Sequence, residues 1–106
     1  MEEHAGFPPP SEESWEAFEG YLSGSLLGAQ IERVVDDQKP GAQRFGFRVK
    51  LGDERHAVHV GDEFWRDIKA PHIRTALSVS RLADEIRDHD DVTIFMDAGT
   101  PAIRSS

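Results

Sequence analysis

The sequence predicts a small α+β domain, in which an antiparallel sheet built on a central β-hairpin over residues 44–60 packs against two or three helices. Apolar residues at helical spacing open the chain, a period-two pattern occupies its middle, and a last apolar run lies near its end. A length of 106 residues fits one domain. We expect a disordered Pro-rich tail over residues 1–10, a single globular domain over 11–97 and a flexible C-terminal tail over 98–106.

The first helix is predicted to begin at Ser11, after a run of three prolines. Serine is a favoured N-cap, and the two glutamates that follow it lie where the helix dipole favours negative charge. The large apolar residues after them recur at helical spacing and therefore share one face, which we expect to be buried. These residues are Trp15, Phe18 and Leu22.

Residues 26–36 fit either a helix or a strand, because their apolar positions match both periods. Gly28 lies inside the segment and disfavours a helix, and strand-like residues follow it. We therefore predict a strand, followed by a loop over 36–41 that is rich in turn-forming residues.

The period-two pattern over residues 44–60 predicts both a hairpin and its register. If Gly52-Asp53 is a two-residue turn, the apolar side chains of the two strands fall on the same face, whereas a one-residue shift would mix the faces. The register that burial favours pairs Leu51 with Glu54, Val49 with His56, Phe47 with Val58, and Phe45 with Val60.

The opposite face of this hairpin is predicted to be basic and to contain Arg48, Lys50, Arg55 and His59. Lys50 lies directly across from Arg55, and like charges in that position are mildly destabilising. We expect an acidic group nearby, either from the chain itself or from a ligand or partner. The candidates within the chain are Glu32, Glu12, Glu16 and Glu19.

After the hairpin, Asp62 is predicted to cap a short helix that contains Phe64, Trp65 and Ile68 and stops at Pro71. The aromatic residues are expected to belong to the core, because their spacing forms one packing patch.

Residues 73–79 alternate in a way that predicts a strand, followed by a helix capped by Ser80. A single helix over 72–88 is the alternative, because helical spacing also fits these residues. Residues 92–97 are mostly apolar and predict a buried strand, for which both parallel and antiparallel placements are open.

A dense acidic cluster lies in the C-terminal third of the chain and includes Asp84, Asp88, Asp90 and Asp91. Its spacing does not match a calcium-binding loop. The cluster is interpreted either as a solvated charged surface or as a docking patch for a basic protein.

Several chemistries are excluded or disfavoured by the sequence. The chain has no cysteine, so disulfides and thiolate metal sites are absent. His56 and His59 lie three residues apart on a predicted strand and therefore point to opposite faces, where they cannot bind one metal ion. No nucleophile elbow, phosphate-binding loop, dinucleotide fingerprint or zinc-protease motif occurs. We expect no metal, no cofactor and no catalytic activity.

A formal net charge of −8 disfavours non-specific binding to nucleic acid, and no apolar run is long enough to cross a membrane. Adaptation to high salt is one explanation for the excess of acidic residues. The sequence favours a soluble, cytoplasmic protein-interaction or regulatory module whose partner is another protein, with a basic partner as one possibility. The alternative is binding of a polyanion or a phosphate-bearing ligand through the basic hairpin face. The oligomeric state is left open.

Overall fold

The computed structural model describes residues 9–35 and 45–105, and these confirm the α+β class. The predicted tail over 1–10 and the predicted loop over 36–41 fall mainly outside the described residues. The elements in chain order are α1 (Glu12–Ser25), β1 (Gln30–Val35), β2 (Phe45–Leu51), β3 (Glu54–Val60), α2 (Asp62–Asp67), α3 (Ala70–Ser80), α4 (Leu82–Asp88), β4 (Asp91–Asp97) and β5 (Thr100–Ser105).

The five strands form one sheet in the order β1-β2-β3-β4-β5. All neighbouring strands are antiparallel except β3 and β4, which are parallel, so the sheet is mixed although mostly antiparallel. The three helices α2, α3 and α4 connect this parallel pair. Four helices pack with the sheet, where the sequence predicts two or three.

The predicted register of the central hairpin is confirmed at every pair, including Lys50 opposite Arg55 and Phe47 opposite Val58. Gly52 has a φ of 60° in the two-residue turn, a conformation that favours glycine. The predicted strand before the hairpin is also confirmed, since β1 forms within residues 26–36.

Helix α1 begins as its sequence predicts. Ser11 is the N-cap, and its hydroxyl accepts a hydrogen bond of 3.1 Å from the backbone N–H of Ser14. The apolar face of the helix, formed by Trp15, Phe18 and Leu22, is buried. Because Trp15 and Phe18 both contact the ring of Phe47, this helix lies against the apolar face of the hairpin.

The core lies between the helices and one face of the sheet. Buried residues alternate along the strands with exposed or half-buried ones, and each helix contributes its apolar face to the same core. No helix in the described ranges is long and apolar enough to cross a membrane. The strand residues of this core include Phe45, Phe47, Val49, Val58, Val60, Val92 and Ile94.

The prediction of a strand over 73–79 is wrong, because these residues lie in α3. Ile73 and Leu77, four residues apart, are fully buried, whereas Val79, which the strand pattern would place with them, is 78% exposed. Pro71 does not stop a helix; it occupies the first turn of α3, where a missing N–H costs nothing.

Two further boundaries differ from the prediction. Ser80 does not cap the following helix, because it is the last residue of α3. The cap of α4 is Arg81, whose φ of 59° breaks the alternative single helix into two. Helix α2 does begin at Asp62, but its N-cap is Gly61, which makes no side-chain capping bond.

The C-terminal segment also departs from expectation. Most of the residues predicted as a flexible tail over 98–106 form β5, which pairs with β4 from Asp97↔Thr100 to Val92↔Ser105. The predicted strand over 92–97 is confirmed as β4, and of the two open placements it adopts the parallel one beside β3.

Candidate functional site

The face of the sheet that turns away from the core is the candidate site, and we call it the free face. Strand alternation and the pairing registers assign sixteen residues to it. Gly46 is the one member that is buried, and it has no side chain. The members are Gln30, Glu32, Val34, Gly46, Arg48, Lys50, Arg55, Ala57, His59, Asp91, Thr93, Phe95, Asp97, Thr100, Ala102 and Arg104.

The three predicted cationic residues meet at one corner of the free face, which we call the cationic corner: Arg48, Lys50 and Arg55. All three are exposed. They line a shallow depression of about 440 Å³ together with Gln30 and Glu32. The prediction that they project together from the hairpin is therefore confirmed in geometry, while their role in binding stays a prediction.

The chain neutralises this corner only in part. Arg48 lies 3.4 Å from Glu32, a long contact between two side chains that are 63% and 68% exposed. Such an exposed pair contributes little energy. Within the described residues, Lys50 and Arg55 make no ion pair. A negative group that approached the corner would therefore relieve the repulsion between these two cross-strand neighbours.

Charge is distributed unevenly between the free face and the rest of the molecule. The free face has four Arg and Lys residues against three Asp and Glu residues, a formal charge of +1. Because the whole chain has a net charge of −8, all its other residues together carry −9. An acidic ligand is thus attracted locally to a corner of a molecule that repels it elsewhere.

His59 shares the free face with the cationic corner but has an acidic neighbour. Its Nε2 lies 3.3 Å from the carboxylate of Asp91 on β4, and its side chain is 31% exposed. Its cross-strand neighbour on β2 is Gly46. A Cβ at Gly46 would collide with the backbone oxygen of Val58, so the strands approach there as only glycine allows.

The acidic neighbours predicted for the hairpin are mostly engaged on the other side of the sheet. Arg33 of β1 holds Glu12 and Glu19 of α1 in two bidentate pairs with distances of 2.7 to 3.0 Å. Its guanidinium also lies 5.1 Å from the centre of the Trp15 ring. Among the candidates within the chain, Glu32 alone has a described contact with the cationic corner.

These contacts shift the pKa values of Glu12 and Arg33. The hydrogen bond from Arg33 is the main cause that lowers the pKa of Glu12. The hydrogen bonds to Glu19 and then Glu12 raise the pKa of Arg33. This arrangement could not be predicted from the sequence, because Arg33 and its partners belong to separate elements.

The structure divides the predicted acidic docking patch between two elements. Asp84 and Asp88 lie on α4, one turn apart, and Asp84 pairs with Arg87 at 3.0 Å. Asp90 and Asp91 instead line a second depression, of about 640 Å³, which also contacts Arg48 and Arg55 of the cationic corner. Docking of a basic protein on these four residues stays a prediction.

His56 is buried, as its position in the hairpin predicts, and is 3% exposed. Its Nδ1 lies 2.8 Å from the backbone oxygen of His89, which fixes the ring against the end of α4. Its Nε2 lies 3.6 Å from Glu54 and makes no hydrogen bond. Within residues 9–35 and 45–105, no group of three or more His, Asp or Glu side chains is arranged to hold a metal ion.

One feature of the free face was not predicted from the sequence. Phe95 of β4 projects from this face, and the guanidinium of Arg104 lies 5.0 Å from the centre of its ring. This pair was not predicted because residues 98–106 were interpreted as a tail, whereas the strand β5 within them brings Arg104 beside Phe95. The alternation within residues 92–97 was the available signal.

No protein-family model matches the chain, and searches of curated proteins and of solved structures find no match.

Proposed function

We propose that this chain is a binding module that uses the cationic corner to hold an acidic segment of another protein. The observation that carries the proposal is the pairing of Lys50 with Arg55 across the hairpin, exposed and without a carboxylate partner among the described residues. Two like charges held side by side in the folded state cost energy that a bound carboxylate recovers. Arg48 adds a third cation whose contact with Glu32 is weak enough to exchange.

The size of the free face supports an extended segment rather than a second copy of the chain. Five strands at a spacing of about 4.8 Å and six residues at about 3.3 Å each give roughly 20 by 20 Å, or about 400 Å². Stable complexes between globular proteins bury about 800 Å² on each partner. A short extended peptide needs less area and fits the surface between the edges of the sheet.

The first test measures binding of a glutamate-rich peptide at low and moderate salt, by fluorescence anisotropy. The test variant is Lys50→Glu/Arg55→Glu. The matched control is Lys69→Glu/Arg74→Glu, which makes the same change in net charge at two exposed residues of the helical layer. We expect the test variant to lose at least about tenfold in affinity and the control to lose much less, with circular dichroism verifying that both are folded.

Equal losses in the two variants would show that only the net charge of the molecule matters, and the proposal would be rejected. A single-stranded oligonucleotide serves as the competing probe. Tighter binding of the oligonucleotide than of the peptide, lost in the test variant alone, would replace the protein partner with a polyanion that carries phosphates.

A further inference from the structure

Phe95 gives the free face an apolar contact point away from the cationic corner. It is partly exposed and is not a member of the core cluster, because it points away from the helices. Gly61 lies beside the base of the Phe95 side chain, because a Cβ at Gly61 would be 3.4 Å from the Cβ of Phe95. The base of the Phe95 side chain therefore lies beside a residue without a side chain, and the side chain remains partly exposed.

Arg104 completes this second feature, which we call the aromatic corner: Phe95 and Arg104. Its guanidinium lies against the Phe95 ring, is exposed, and has no carboxylate partner among the described residues. An aromatic ring with a stacked cation attracts an apolar side chain that has a negative or polar group beside it.

The pairing registers give the separation of the two corners. Val60 is level with Ile94, so Phe95 lies one residue beyond that level, and Arg55 lies five residues before it on the parallel neighbour. Six residues of strand correspond to about 20 Å along the sheet. An extended peptide of about six residues spans that distance.

The surface between the corners is low and polar. Ala57 projects little, while His59 and Thr93 offer groups that form hydrogen bonds and are partly exposed. Bulky apolar side chains gain nothing there, so the middle of a bound segment should contain small or polar residues.

We infer that the partner of the free face is an extended segment with carboxylates at one end and an apolar side chain about six residues away, which contact the cationic and aromatic corners respectively. The inference rests on the proposed function and adds the second anchor and its spacing. Charge complementarity selects the acidic end, and the partly exposed ring selects the apolar end.

The test compares two synthetic peptides that share a run of glutamates followed by a serine- and threonine-rich spacer of about five residues. One peptide ends in leucines and the other in serines, and each is made in both sequence directions. Binding to the full chain, to Phe95→Ala and to Val79→Ala is measured by fluorescence anisotropy. Val79, on α3, is an exposed apolar side chain of the helical layer and serves as the matched control.

We expect the leucine peptide to bind the full chain about tenfold more tightly than the serine peptide, in at least one direction. That gain should vanish in Phe95→Ala and persist in Val79→Ala. The serine peptide should bind all three proteins equally.

No gain from leucine, or a gain that survives in Phe95→Ala, would overturn the inference. In either case, binding of the serine peptide that is lost in Lys50→Glu/Arg55→Glu would leave the proposed function standing. Absence of binding by both peptides would overturn the proposed function and this inference together.

Discussion

The two faces of this sheet share the same strands and differ in what holds their side chains. The covered face is the one that packs against the helices, and on it Phe47 is 2% exposed. The Phe47 ring stacks on Phe18 with ring centres 4.7 Å apart and makes an edge contact with Trp15, with ring centres 5.2 Å apart. On the free face, the adjacent residue Arg48 is 63% exposed on its side chain and has one long ion pair. One residue along a strand thus separates a position that stability requires from one that is available for binding.

The largest expected effect comes from removing a buried side chain from the covered face. Phe47→Ala removes a buried ring from the aromatic cluster, and we expect a loss of about 3–5 kcal/mol in the free energy of unfolding. Arg48→Ala, its neighbour on the free face, should change that energy by less than about 0.5 kcal/mol. Urea denaturation followed by tryptophan fluorescence measures both. Similar losses in the two variants would mean that the faces are not distinct.

Gly46 is a position of the free face that we nevertheless expect to be required for stability. It belongs to the free face, yet a Cβ there would collide with the backbone oxygen of Val58, an atom that cannot rotate away. We therefore expect Gly46→Ala to destabilise the fold by about 1–3 kcal/mol.

Gly24→Ala is the matched control for Gly46→Ala, because a Cβ at Gly24 meets nothing within 4 Å. Alanine is a better helix former than glycine by up to about 1 kcal/mol, so this change within α1 should be neutral or stabilising. A neutral Gly46→Ala would show that β2 and β3 can separate there, and that the free face is less rigid than the pairing suggests.

The sequence predicts the covered face better than it predicts the edges of the sheet. The hairpin register could be derived because only one alignment buries Phe47 and Val49 with Val58. The strand β5 could not, because its turn places Ala98 at a φ of 54° beside Gly99 at 82°, and alanine is a weak signal for that turn. The same omission concealed Arg104 and with it the aromatic corner.

Helix α3 was mistaken for a strand for a different reason. Residues 73–79 satisfy both periods, and local alternation cannot tell which apolar residues another element will cover. The contacts of α1 with α3 decide the matter in the structure, since α1 packs more closely against α3 than against the other helices. The position of the cationic corner was predicted correctly because it depends on the hairpin alone, and so was its contact with Glu32 on the neighbouring strand. The pairing of Glu12 and Glu19 with Arg33 was not predicted, because it depends on where α1 lies.

The smallest expected effect concerns Arg33, which joins the covered face to the edge of β1. Arg33→Gln removes two bidentate pairs and a contact with Trp15, and we expect a loss of about 1 kcal/mol at neutral pH. The pKa of Glu12 is lowered in the folded protein, so its ionised form favours folding. That contribution is present above the ordinary glutamate pKa of 4.5 and is lost as the pH falls through the lowered folded value.

The stability difference between wild type and Arg33→Gln should therefore shrink as the pH is lowered from 7 to below about 4, because the wild type alone loses this contribution. Urea denaturation at a series of pH values measures it, with Glu13→Gln as a control that removes a neighbouring carboxylate without a described ion pair. A difference that stays constant with pH would assign the role of Arg33 to its packing on Trp15 rather than to charge. The covered face would then extend to the edge of the sheet through the packing of Arg33 on Trp15.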